Sequence, residues 1–60
     1  MATFNQTEVN SIREIVMAHQ MSSAKLSDYA NQCQDPQIRE MFGKAAQESK
    51  TAAQNLIQML

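Results

Sequence analysis

The sequence predicts an all-α fold: an antiparallel two-helix hairpin that forms a four-helix bundle by homodimerisation. Three observations carry this. Apolar and small residues recur three and four apart along both halves of the chain. One Pro and one Gly in the whole sequence leave few places to turn. Sixty residues with one Cys and one His offer neither an internal disulfide nor a zinc cluster. A chain this short seldom buries a sufficient core alone, so oligomerisation is the remaining stabiliser.

The first helix is expected over about 5–33. Asn5 followed by Glu8 reads as a capping box, with Phe4 placed to staple onto Val9 and Thr3 as an alternative cap. Val9, Ile12, Val16, His19, Ser23, Leu26, Ala30 and Cys33 then alternate three and four apart without a break, which is a heptad seam. Ile15, Ser22 and Tyr29 flank it and widen the stripe to the face of a bundle helix.

The turn is expected at 34–35. A residue before proline is pushed out of the α region, so no helix should run through Gln34-Asp35. Asp35 is a good N-cap and Pro36 a good first helical residue. The second helix is expected over about 36–59. Its seam is Ile38, Phe42, Ala45, Ser49, Ala52, Leu56 and Met59, flanked by Ala46, Ala53 and Leu60. Asp35–Arg39 and Glu40–Lys44 are acid-first i,i+4 pairs that support this helix by a few tenths of a kcal/mol each, about 0.2–0.5.

The short link makes the helices antiparallel neighbours, with Ser23 near Ser49 and Val16 near Leu56. The centre of the seam is small (Ser22, Ser23, Ala45, Ala46, Ser49, Ala52, Ala53), which reads as a tight waist and not a cofactor cavity. A lone hairpin leaves one side of each seam residue uncovered, and two stacked hairpins would cover it. The seam residues of both helices are therefore the expected oligomer interface.

Composition excludes several classes. A hydrophobic content of 43% is ordinary globular usage, against disorder. The net charge of −1 comes from scattered residues without a basic patch, so nucleic-acid binding has no electrostatic support. No apolar run is long enough to span a bilayer, and Met1-Ala2-Thr3-Phe4-Asn5 lacks the regions of a signal peptide. Cytoplasmic synthesis is expected, and an unpaired Cys33 fits a reducing compartment.

Ile12-Arg13-Glu14, His19, Ser23-Ala24-Lys25-Leu26, Tyr29-Ala30, Cys33-Gln34-Asp35-Pro36-Gln37-Ile38-Arg39, Phe42, Ala52 and Asn55-Leu56 together resemble the spore coat protein F family of endospore-forming bacteria. The Cys-x-Asp-Pro-x-Ile-Arg junction is the most specific part. The resemblance implies a ferritin-like helical fold, of which this chain supplies about half of the four-helix unit. It also implies a structural component of the spore coat, with other coat proteins as neighbours, and it carries over no chemistry.

The residues themselves offer little for catalysis. A ferritin-like two-metal site needs Glu residues and Glu-x-x-His motifs on the bundle helices. Val16, not Glu, stands three residues before His19, and no carboxylate occupies a seam position. His19 is thus expected to be a core histidine hydrogen-bonded to Ser22, Ser23 or Ser49. Cys33 lies far along the same helix from His19, out of reach of the base that a nucleophile needs. It reads as a small hydrophobe, with an intermolecular disulfide in a mature coat as the functional alternative. Met17 and Met21 fall outside the seam, on a face that a larger assembly would use.

The expectation is therefore a structural, non-catalytic protein of the spore-coat type, self-assembling as a homodimer or higher homo-oligomer, with no cofactor, metal, nucleic acid or membrane partner. The alternative is a small adaptor whose seam docks onto the helices of a larger protein.

Overall fold

The computed structural model describes residues 3–60. It contains two helices, α1 (Gln6–Gln32) and α2 (Pro36–Met59), and no strand among the described residues. Each boundary has a local cause. The Asn5 side chain accepts from the Glu8 N–H at 2.8 Å, and the Glu8 carboxylate accepts from the Asn5 N–H at 3.0 Å. This reciprocal pair satisfies two donors that the first turn would otherwise leave open. Asn5 is therefore the cap and not the first helical residue, and Thr3 takes no part in it.

α1 stops where the chain approaches proline. Cys33 is extended, with φ −79° and ψ 135°, and its N–H still donates to the carbonyls of Tyr29 and Ala30. Asp35 is extended too, and its carboxylate accepts from the Gln37 N–H at 2.8 Å. That bond holds the carboxylate on the cap, ahead of any reach toward Arg39. Pro36 follows at the position where a missing N–H costs nothing.

The two helices lie antiparallel. Tyr29 meets Phe42 near the turn, with ring centroids 6.1 Å apart and planes at 54°. Further along, the Ser23 hydroxyl donates to the Ala46 carbonyl at 3.0 Å. Gln20 and Ser23 share a groove with Ala53, Gln54 and Ile57 still nearer the open end. Tilted ring pairs of this kind add about 0.5–1.5 kcal/mol beyond their buried area.

The hairpin is a thin plate, 46 × 17 × 9 Å across its Cα atoms. Among the described residues its own core is four: Val16, Ala30, Ala46 and Ala53. Three of these are alanines, and no large side chain among the described residues is fully enclosed. The small waist does what the sequence implies and brings the two backbones close. The line of contact on α2 differs from the expected one. Ala46 and Ala53, placed on the flank by the seam assignment, are the most buried residues at 5% and 3% exposure, whereas Ala45 and Ala52 are half-buried beside them. α2 is thus turned by about one residue, roughly 100° on a helix, so that its smallest row faces α1. Ser23 lies over Ala46 rather than Ser49 as its bonded neighbour.

Candidate functional site

Helical periodicity assigns the remaining residues to the two broad sides of the plate. On α1 the row Val16, Ser23 and Ala30 points at α2, as burial and the Ser23 bond show. One step round the helix stands the row Ile12, His19, Leu26 and Cys33, and beyond it Ile15, Ser22 and Tyr29. On α2, the corresponding rows beside Ala46 and Ala53 are Phe42, Ser49 and Leu56, then Ile38, Ala45, Ala52 and Met59. The Tyr29–Phe42 contact fixes these rows on the same side of the plate.

The opposite side is different in chemistry. It carries an open groove of about 450 Å³ lined by Gln20, Ser23, Ala24, Lys50, Ala53, Gln54 and Ile57. Ile57 is its one large apolar side chain, and the amides and the ammonium of Lys50 belong in water. The plate therefore has one side of continuous apolar rows and one where amides and Lys50 border a groove around Ala24, Ala53 and Ile57.

The predicted interface residues fall into three groups. Val16 and Ala30 are buried against α2, so the hairpin itself has taken them up. Val9, Ile12, His19, Ser23, Leu26, Phe42, Ala45, Ser49, Ala52 and Leu56 are half-buried, as is Cys33. Ile38 and Met59 are exposed. The half-buried group stands beside the buried rows and keeps part of each side chain open, as a residue that a second layer would cover does.

Exposed apolar bulk extends the same side outward. Ile15 is 48% exposed and Ile38 44%, at opposite edges of the apolar face. Met41 is exposed at the rim of α2 and was not in the predicted seam. Its signal was present in the sequence, since it lies three residues after Ile38 and four before Ala45. Met17 and Met21 are exposed on the outer edge of α1, where Met21 borders a shallow groove shared with Ser22, Leu26 and Tyr29.

His19 is half-buried at the middle of α1, facing the apolar side. None of the expected serine bonds to it forms among the described residues. The Ser23 proton goes to the Ala46 carbonyl instead. Cys33 is a free, half-buried thiol at the end of α1. It is 14 residues from His19 on one straight helix, about 21 Å at 1.5 Å per residue, so the two do not meet within a hairpin. Among the described residues no three His, Cys, Asp or Glu side chains gather to hold a metal ion. No helix among them is long and apolar enough to cross a membrane. What the structure brings together is an uncharged apolar face. No family model, no curated protein and no solved structure matches the chain.

Proposed function

We propose that this chain is a structural, non-catalytic protein that works by assembling through its apolar helical face, and that its place is the spore coat. One observation carries the assembly reading: a continuous apolar side, from Ile12 and Ile15 to Tyr29 and from Ile38 to Met59, is left open on a plate with almost no core of its own. Apolar patches of several hundred Å² on a small protein mark interaction surfaces. The non-catalytic reading is supported by the separation of the single histidine from the single cysteine along α1. A nucleophile without a base in reach is not activated. The coat assignment is supported by the resemblance at Cys33-Gln34-Asp35-Pro36-Gln37-Ile38-Arg39, the segment that builds the turn.

A fluorescent fusion expressed in a sporulating endospore former tests the place. A ring of fluorescence around the developing spore is expected. Uniform fluorescence through the mother cell would remove the coat assignment. Sedimentation of the purified chain tests assembly, because a structural role of this kind requires association without any other protein. A monomer that gains helix only on adding a foreign helical protein would make it an adaptor.

A further inference from the structure

Resting on the reading of an assembling structural protein, the dimensions of the hairpin identify its immediate partner: we infer that the apolar face is covered by one second copy of this chain, giving a closed dimer of two stacked plates. Three quantities point to a single copy. The accessible surface is 4855 Å². A compact protein of 6.7 kDa exposes about 3900 Å² on the usual scaling with mass. The excess, about 950 Å², is of the same size as the roughly 800 Å² that each partner contributes to a standard interface. The plate measures 46 by 17 Å, which is close to the same area. The radius of gyration is 14.2 Å. A compact 60-residue domain has about 10.4 Å and a compact domain of twice that length about 13.6 Å. The hairpin thus has the reach of a domain with double its residues.

The chemistry of the face selects a copy of itself over a charged or polar partner. From Ile12 to Cys33 and from Ile38 to Met59 the outward rows named above carry no carboxylate, ammonium or guanidinium. Glu8 lies beyond Ile15 on its cap and Glu48 beside Ala52 at the exposed rim, so two such faces meet without burying unpaired charge at their centre. Their centre, at Ser22, Ala45, Ser49 and Ala52, is small, and their bulk lies toward both ends. Two waists can therefore approach closely while the ends interdigitate. An isologous contact of this sort uses the whole face and closes on itself, because the side that remains carries only scattered apolar residues among amides and charges.

The test uses the full chain and substitutions outside the buried row between the two helices. Ile15 and Ile38 are already about half exposed, so Ile15→Lys and Ile38→Lys place a charge in water in the free hairpin and inside the contact in the dimer. Met17→Lys, on the outer edge at 61% exposure, is the control. Sedimentation equilibrium should give twice the 6.7 kDa chain mass for the wild type and for Met17→Lys. Ile15→Lys and Ile38→Lys should raise the dissociation constant at least tenfold, with circular dichroism following helix content over the same dilution. A folded monomer at all concentrations overturns both this inference and the assembling role. Masses above twice the chain overturn the closed dimer and leave the assembling role standing. A dimer indifferent to both isoleucine variants shows that another surface is used and overturns the inference.

Discussion

Small residues do different work here according to a single step round a helix. Ala46 and Ala53 set the distance between α1 and α2, whereas Ala45 and Ala52 look outward beside them. Ala46→Leu would drive a branched side chain into a 5% exposed position where Ser23 of α1 is already bonded to the backbone. Overpacking of that kind costs about 1–3 kcal/mol. Ala24→Leu, on an exposed position of the grooved side, should change stability by about 0.5 kcal/mol or less. Urea unfolding of both variants, at one protein concentration, gives the comparison. Equal midpoints would mean that the helices are not in contact at this row. His19 belongs to the same scale. It sits alone in an apolar row, and the purified protein is expected to carry no stoichiometric iron or zinc. Elemental analysis checks this, and metal lost in His19→Ala would place a ligand at that residue.

The ends of the elements are held by two short side chains. Asn5 and Asp35 each accept one backbone N–H at 2.8 Å. Asn5→Ala and Asp35→Ala should each cost about 1 kcal/mol, the usual effect of deleting a cap, with Asp35→Asn close to neutral. Thermal melts resolve this, because a change of that size shifts the midpoint of a small domain by several degrees, about 4–8 °C. Gly43 is the opposite case. It lies inside α2 with ordinary negative φ, and a Cβ added there meets nothing within 4 Å. Glycine in a helix interior is about 0.8–1.0 kcal/mol less favourable than alanine. Gly43→Ala should therefore stabilise the protein by about that amount. A loss of stability would reveal a neighbour at Gly43 that only an assembly supplies.

At the scale of the molecule, a plate with four buried residues cannot be stable by itself in the way a globular domain is. Conformational entropy costs about 1–2 kcal/mol per residue for the backbone alone. Burial of Val16, Ala30, Ala46 and Ala53 cannot offset that over sixty residues. Folding and assembly should therefore be one event, and the melting temperature should rise with protein concentration. Leu26→Asp puts a charge on the half-buried row that both the hairpin and its partner use. Burying an unpaired carboxylate is costly enough that this variant should lose both mass and helicity together. Retention of native helicity and mass in Leu26→Asp would show that the row is solvated in the native assembly.

The sequence by itself determined the two helices, the break between them and their caps. These depend on local chemistry: the Asn5–Glu8 spacing, the restriction that Pro36 places on Asp35, and a three-four alternation that no strand can satisfy. It also marked the apolar stripe of α1 from Val9 to Cys33, every member of which is at least half-buried. The rotation of α2 was not legible there. Ala45, Ala46, Ala52 and Ala53 form two adjacent pairs of identical residues, and hydrophobic pattern alone cannot say which of each pair faces α1. Tertiary packing decided it, by close approach of the smallest row and by the bond from Ser23 to the Ala46 carbonyl. That same bond drew the Ser23 proton away from His19, a competition invisible in a linear sequence. Only the folded plate, with its area and its two unlike sides, showed how much apolar surface a two-helix chain leaves to be covered.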